Sequence, residues 1–171
     1  NGKFASDKFV DNGEFPIYGG NGIMARTDEW NAEPPFIVIG RVGAYCGNAH
    51  FVDEKAWVSD NAMLVTTNHF PRFLAELFTA LDFNSQANNT AQPVITGPKI
   101  KNTYVLIPPR TEQVEIYEFV CEQRRKFSVL AKNLKSQITT LTAYRKSLIH
   151  ECVTGKRRIS EADVAKVEAH V

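Results

Sequence analysis

The hydrophobic positions in the second half of the chain follow the period of one long helix. Neither Gly nor Pro interrupts the stretch from residue 112 to about residue 153. Pro108-Pro109 precedes this stretch and Thr154-Gly155 follows it, and such residues are typical of helix boundaries. At about 1.5 Å per residue the predicted helix is about 60 Å long, whereas an average helix has only about 12 residues.

Within this helix the apolar residues form a narrow seam, with steps of mostly three and four residues. That spacing is typical of a coiled coil. No other stretch of the sequence is long enough to pair with it, so the seam predicts a second long helix from another chain or from another part of the same protein. The alternative is a core helix of an ordinary bundle. The seam residues are Val120, Phe127, Leu130, Leu134, Ile138, Leu141, Leu148 and Cys152.

Short apolar runs bounded by turn residues predict strands in the first part of the chain. A Gly-Gly-Asn-Gly turn follows the first of these runs, and Ser59-Asp60-Asn61 connects two others. One further segment, over 71–81, has its apolar residues on one helical face and predicts an amphipathic helix, with a polar loop over 82–92 after it. The predicted strands cover 15–18, 36–39, 56–58, 62–65, 94–95 and 104–107.

These elements predict an α+β fold with three parts. A compact mixed α/β domain covers 1–110, and one long coiled-coil helix covers 111–155. A tail over 156–171 contains a short C-terminal helix, from residue 160 to about residue 169, which begins with a Ser and two acidic residues in its first turn.

The composition is that of a globular protein, with 43% hydrophobic and 23% charged residues. No apolar run is long enough to cross a bilayer and no secretory signal is present, so we predict a cytoplasmic protein without a membrane partner. The three cysteines, Cys46, Cys121 and Cys152, are widely spaced, which favours reduced thiols over a disulfide framework.

The net charge of +1 conceals two oppositely charged parts. Residues 1–123 carry 9 Lys and Arg against 15 Asp and Glu, so their net charge is −6. Residues 124–158 carry 10 against 1, so their net charge is +9. A strongly basic helix predicts an acidic partner nearby, either a nucleic acid or an acidic protein surface.

No motif predicts a catalytic, cofactor or metal site. Gly19-Gly20-Asn21-Gly22 lacks the Lys-Ser/Thr of a phosphate-binding loop. Glu33-Pro34-Pro35-Phe36 is similar to the Asp/Asn-Pro-Pro-aromatic motif of amino-methyltransferases, but its first residue is Glu and no glycine-rich cofactor loop follows a strand. Cys46 and His50 are four residues apart, and no second pair completes a zinc site.

Several polar residues of the first domain have side chains suited to DNA. Arg pairs with guanine and Asn with adenine, while Lys, Ser and the backbone N–H groups of a tight turn hold phosphate. We expect most of them on loops around a rigid sheet, where binding residues are common. The predicted DNA-binding residues are Gly20, Asn21, Arg26, Arg41, Tyr45, Asn48, His50, Ser59, Asn61, Lys99, Lys101 and Asn102.

Four stretches together resemble one half of a type I restriction-modification specificity subunit. The most specific combination is a Pro-Pro-x-x-Glu-Gln entry to a long helix, which a Tyr-Arg-x-x-Leu-Ile segment and a Thr-Gly-Lys segment close. The resemblance extends over nearly the whole chain. The four stretches are 15–23, 36–43, 107–113 and 141–149, the last of which runs into 153–156.

This resemblance implies a role for each part of the chain. In that family each subunit has two target recognition domains that read the two parts of a split DNA sequence. A long helix follows each domain, and the two helices pair antiparallel as a spacer. The subunit docks methyltransferase subunits that modify adenine, and the complete complex adds a restriction subunit. The resemblance therefore implies a DNA-binding component that has no catalysis of its own.

This chain departs from the family pattern in two respects. It has a single recognition domain, and it lacks the Trp- and Leu-Gly-bearing segment that usually opens such a domain. A single recognition domain fits a half-length subunit, a fragment or an engineered truncation, and we favour the second half of a longer protein. We expect the long helix to pair with a second copy or with the other half. Two alternatives are a coiled-coil adaptor whose head binds a protein, and a methyltransferase domain in its own right.

Overall fold

The computed structural model of the chain describes residues 1–87 and 93–161. The chain forms two units, of which the first is Asn1–Phe119 and the second begins at Val120. The fold is α+β, as the sequence predicts. Its elements are β1 (Phe15–Gly19), β2 (Gly22–Thr27), β3 (Phe36–Gly40), β4 (Ala49–Val52), β5 (Trp57–Val58), β6 (Ala62–Val65), α1 (Pro71–Ala80), α2 (Gly97–Lys101) and α3 (Arg110–Val153).

The first unit contains two three-stranded sheets. In one sheet β1 lies between β2, which is antiparallel to it, and β5, which is parallel to it. In the other sheet β3 lies between β4 and β6, and both pairs are antiparallel. β3 is the central strand of its sheet, and all five of its residues are buried.

The two faces of β3 pack into different parts of the core. Ile37 and Ile39 belong to a cluster that contains Leu74 and Phe78 from α1. Phe36 and Val38 belong to another cluster, which contains Val58 and Ala62. Each of these large side chains contributes about 1.5–3 kcal/mol through burial, and this alternation fixes the register of β3 between its neighbours. The core residues on the two faces are Phe36, Ile37, Val38, Ile39, Val58, Ala62, Leu74 and Phe78.

Helix α1 confirms the amphipathic segment predicted over 71–81. It begins at Pro71. Proline lacks a backbone N–H, and at this position the N–H has no acceptor within the helix, so no hydrogen bond is lost. A second short helix, α2, occupies a region where the sequence suggests only a connection between two strands. Pro98 lies in its first turn, so the Gly-Pro pair begins a helix there.

The predicted strand over 104–107 is wrong. Tyr104 is 100% exposed and Leu106 is 93% exposed, and no strand forms there. Apolar residues alone do not make a strand when no neighbouring strand pairs with them. Of the strand predicted over 94–95, the structure has one isolated bridge between Val94 and Val42, while Ile95 is fully buried.

The long helix is confirmed as α3, which has 44 residues and extends for about 66 Å. Every residue from 124 to 147 is exposed among the residues that the structure describes. The predicted C-terminal helix begins at the end of the described range, and its residues from 162 onward lie outside it.

Candidate nucleic-acid interface

Three connections of the first unit meet at the C-terminal end of β3. They are the turn between β1 and β2, the loop between β3 and β4, and the turn before β6. The backbone N–H of Gly40 donates to the carbonyl oxygen of Asn48 at 3.0 Å, and that of Arg41 donates to Asn61 at 2.9 Å. The end of the central strand therefore holds two of the connections directly through its backbone.

The third connection reaches β3 because glycines allow the backbones to touch. A Cβ atom on Gly40 would lie 2.0 Å from the carbonyl oxygen of Gly20, and a Cβ atom on Gly20 would lie 2.7 Å from that of Val42. Neither position accepts a side chain without displacement of a backbone. The glycines of the sequence thus bring the β1–β2 turn against the β3–β4 loop.

Side-chain amides join the same two connections. The Asn48 side-chain amide donates to the side-chain oxygen of Asn21 at 3.3 Å. Tyr45 and Asn61 are exposed, and Arg41 is half-buried. We name this group the loop cluster. It consists of Gly20, Asn21, Arg41, Tyr45, Asn48 and Asn61.

Asn84 holds the β3–β4 loop through hydrogen bonds to the backbone of that loop. Its side-chain amide donates to the carbonyl oxygens of Ala44, at 2.8 Å, and Cys46, at 3.0 Å. Burial raises the pKa of the Cys46 thiol, which keeps this neighbour of Asn84 protonated. The sequence gives no signal for this role, because Asn84 follows α1 and lies far from the loop along the chain.

A groove of about 450 Å³ lies beside the loop cluster. Its lining combines residues of the β1–β2 turn, β4 and α1. Arg72 is held there by a 2.7 Å salt bridge with Asp53, while a hydrogen bond with Tyr117 contributes most to raising its pKa. The polar groups along the groove include Asn21, His50, Arg72, Glu76, Thr79 and Tyr117.

Comparison with known proteins establishes the family. The model of the type I restriction modification DNA specificity domain matches residues 1–140. The chain belongs to this family. A curated relative, the EcoprrI type I restriction enzyme specificity subunit of Escherichia coli, is 27% identical to this chain over 106 residues. That match covers 60% of this chain and 26% of the relative.

Solved structures share the fold of this DNA specificity domain. The S subunit of a type I restriction-modification system from M. genitalium matches with a TM-score of 0.61 and 16% identity, covering 97% of this chain and 44% of that one. A structure concerned with complex assembly and conformational transition of the type I R-M system has a TM-score of 0.69 and 15% identity, over 88% and 41%. The HsdS subunit from Thermoanaerobacter tengcongensis has a TM-score of 0.55 and 17% identity, over 75% and 35%. The chain thus spans less than half the length of these relatives.

His50 of the specificity domain lies on β4, opposite Val38, and not on a loop as the sequence suggests. Its ring packs against Gly22, where an added Cβ would lie 3.4 Å from the ring Cε1 atom. The Nε2 atom is buried and has no hydrogen-bond partner among the described residues. Burial lowers the pKa of His50, so the ring is neutral near pH 7.

Two predicted DNA-binding residues of the specificity domain differ from the prediction: Arg26 is exposed but lies on a strand, and Ser59 is buried. Arg26 lies on β2, and its guanidinium donates to the backbone carbonyl oxygens of Gly13 and Glu14. Ser59 is only 1% exposed, and its N–H donates to the carbonyl oxygen of Tyr18. The expected loop placement of Arg26 and the expected exposure of Ser59 are wrong, because backbone groups of distant residues hold both of them.

The remaining predicted residues lie on or just after α2 and do not flank a strand. Lys99 and Lys101 are in the last turn of α2, and Asn102 follows it. Lys99 donates to the backbone carbonyl oxygen of Gln86. All three are exposed. The sequence correctly identifies exposed polar residues here, but they belong to a helix and not to loops beside a strand.

No group of three or more His, Cys, Asp and Glu side chains comes together as metal ligands in the described part of the chain. Over the same ranges, no helix is both long enough and apolar enough to cross a membrane. The methyltransferase-like Pro-Pro-Phe segment ends in Phe36, which is fully buried as the first residue of β3.

Proposed function

We propose that this chain reads a short DNA sequence with its loop cluster, as part of a type I restriction-modification specificity subunit. The observation that carries this proposal is the fixed contact among three connections at the end of β3, which presents Asn21, Arg41 and Asn48 together. Sites built on rigid elements read bases more selectively than side chains on independent loops.

The chemistry of the loop cluster suits both parts of a DNA site. An Asn amide forms a pair of hydrogen bonds with adenine, and an Arg guanidinium forms a pair with guanine. The exposed Tyr45 supplies an aromatic face and a hydroxyl donor, and the turn at Gly20 offers backbone N–H groups to a phosphate. The net charge of −6 on residues 1–123 opposes a wide nonspecific footprint, so the contact is local.

In this proposal α3 is the spacer of the complex. Most of its apolar seam is exposed in the part of the chain that the structure describes. An exposed apolar seam of this length is typical of a helix that pairs with a second helix. Antiparallel pairing places the two recognition domains at opposite ends and sets the distance between the two parts of the target. Methyltransferase and restriction subunits then dock on this frame in the cytoplasm, and they supply the catalysis that this chain does not.

The direct test is selection of bound sequences from a random duplex library at physiological salt. We expect one recurring motif, and we expect Arg41→Ala to reduce the ratio of specific to nonspecific affinity by about tenfold to a hundredfold, the value of one lost base contact. Lys55→Ala is the matched control. It removes one positive charge from a side chain that stacks on Trp30, outside the loop cluster.

Retention of DNA without any enriched motif, or no retention at all, would overturn sequence reading and favour the adaptor whose head binds a protein. Unchanged discrimination in Arg41→Ala would remove Arg41 from the reading surface. A separate titration with S-adenosylmethionine addresses the methyltransferase alternative, and we expect no binding.

A further inference from the structure

The seam of α3 is symmetric in sequence about Leu134. Leu130 and Ile138 lie four residues on either side of it, and Phe127 and Leu141 lie seven residues on either side. All five side chains are large, apolar and exposed on the helix. A seam that reads the same in both directions matches the geometry of two identical helices that run antiparallel.

Two polar residues continue the symmetric series. Gln123 and Arg145 both lie eleven residues from Leu134, and Val120 and Leu148 both lie fourteen residues from it. The steps outward from Leu134 are four, three, four and three in each direction. The polar positions in the seam are therefore not random interruptions, because each one occupies the mirror position of the other.

We propose that the partner of α3 is a second copy of the same chain, with a two-fold axis at Leu134 and with Gln123 facing Arg145 of the other copy. This inference rests on the helix pairing proposed above and names its partner and register. Each Leu134 then meets its own copy, and every other apolar residue of the seam meets an apolar mate.

The centre of the seam supports this axis. Two successive steps of four residues meet at Leu134, whereas a regular heptad alternates three and four. When two helices pair in another register, the extra residue in this spacing puts the seam residues of one helix out of line with those of the other. A two-fold axis at Leu134 avoids this displacement. The half of one helix before Leu134 then faces the half of the other helix after Leu134, and the two halves have the same spacing of seam residues.

The polar layer selects against the other registers. A shift of one heptad places Arg145 opposite Leu130, and a shift in the other direction places Gln123 opposite Ile138. Parallel pairing in register places two Arg145 side chains together. Each arrangement leaves a seam polar group without an acceptor or beside a like charge, whereas a guanidinium donates readily to a Gln side-chain oxygen. Polar layers within an apolar seam commonly fix register in this way.

Disulfide trapping tests the axis in the full chain. In a Cys121→Ser, Cys152→Ser background, we expect Leu134→Cys to form a covalent dimer under mild oxidation, because only the axial residue faces itself within disulfide reach. Leu130→Cys alone does not cross-link, but a mixture of Leu130→Cys and Ile138→Cys chains does. Cross-linking of Leu130→Cys alone, or a dimer in which Leu134→Cys stays unlinked, would overturn the register.

Exchange of the polar layer is an independent test. Gln123→Arg places two guanidinium groups in each layer, and we expect the dimer dissociation constant to rise at least tenfold. Combining it with Arg145→Gln restores the original pairing and the dimer. Ser136→Arg, which adds the same charge off the seam, serves as the control. A double variant no tighter than Gln123→Arg alone would contradict the proposed layer.

These outcomes are separable from DNA reading. A chain that cross-links as expected but selects no DNA motif would keep the register and overturn the proposed function. A chain that selects a motif but cross-links through Leu130 alone would keep the function and overturn the axis.

Discussion

The side-chain oxygen of Gln113, in the first turns of α3, accepts a hydrogen bond from the backbone N–H of Phe70 at 2.9 Å. Phe70 is the N-cap of α1, where no side chain of the neighbouring sequence provides a cap. The Gln113 amide also donates to the carbonyl oxygen of Pro108 at 2.8 Å. Gln113 is only 2% exposed, so one side chain satisfies two backbone groups and joins α1 to the entry of α3.

We expect Gln113→Ala to lower the free energy of unfolding of the first unit by about 2–3 kcal/mol, because it leaves two backbone groups without their partner. Denaturant unfolding measures this change. Thr111→Ala, at an exposed position two residues earlier, provides the control and should change the value by less than about 0.5 kcal/mol. Equal effects of the two variants would show that the Gln113 contacts contribute little.

Alanine variants of Gly40 and Gly43 test two different effects, which are close backbone packing at Gly40 and backbone strain at Gly43. A Cβ on Gly40 collides with the backbone of Gly20, so we expect Gly40→Ala to disrupt the loop cluster and to abolish selective DNA binding. Gly43 has a φ of +88° but open space around it, so Gly43→Ala costs only about 1–2 kcal/mol of strain. Motif selection and thermal unfolding of both variants check this. Selective binding that survives in Gly40→Ala would contradict the contact.

Burial of His50 predicts a pH dependence of folding. The pKa of His50 is lowered from its ordinary 6.5, so the unfolded chain binds a proton at a higher pH than the folded chain does. The contribution of neutral His50 to the free energy of unfolding is therefore fully present above about pH 6.5, and it is lost as the pH decreases below that value. We expect His50→Gln to lose less stability than the original chain between pH 7.5 and 5.5.

The control for this experiment is His150→Gln, at an exposed position of α3. This variant should keep the full loss of stability at low pH. Denaturant unfolding at the two pH values measures both variants. An identical pH dependence in His50→Gln and in the original chain would exclude His50 as its source.

The sequence predicts the elements whose patterns are long or uniformly apolar. The 44-residue helix α3 and helix α1 follow from periodicity, and the fully buried β3 follows from its unbroken apolar run. Strands β2 and β4 do not, because Ile23 and Met24 are both exposed in β2 and most of β4 is only half-buried. The segment over 104–107 has a typical strand composition, yet it lacks a pairing strand, and pairing depends on residues far away in the chain.

For the candidate site, sequence identifies residue types but not their contacts. Asn21, Arg41 and Asn48 come together at the end of β3, and the glycines around them are the local pattern that indicates this contact. The burial of Ser59 and the carbonyl partners of Arg26 depend on backbone from other parts of the fold. Asn84 and Gln113 serve as braces through contacts with distant segments, which no local pattern indicates.

The apolar seam predicts how the chain associates. Leu134 is 49% exposed and Leu141 is 65% exposed on α3, so carboxylates at both positions would enter a desolvated helix interface. We expect Leu134→Asp with Leu141→Asp to convert dimers into monomers in light scattering, while circular dichroism shows that the first unit stays folded. Ser136→Asp with Thr140→Asp adds the same charges off the seam and should leave dimers intact. A clean monomer of the original chain at high micromolar concentration would contradict the pairing, because the exposed seam would then have no partner of its own kind.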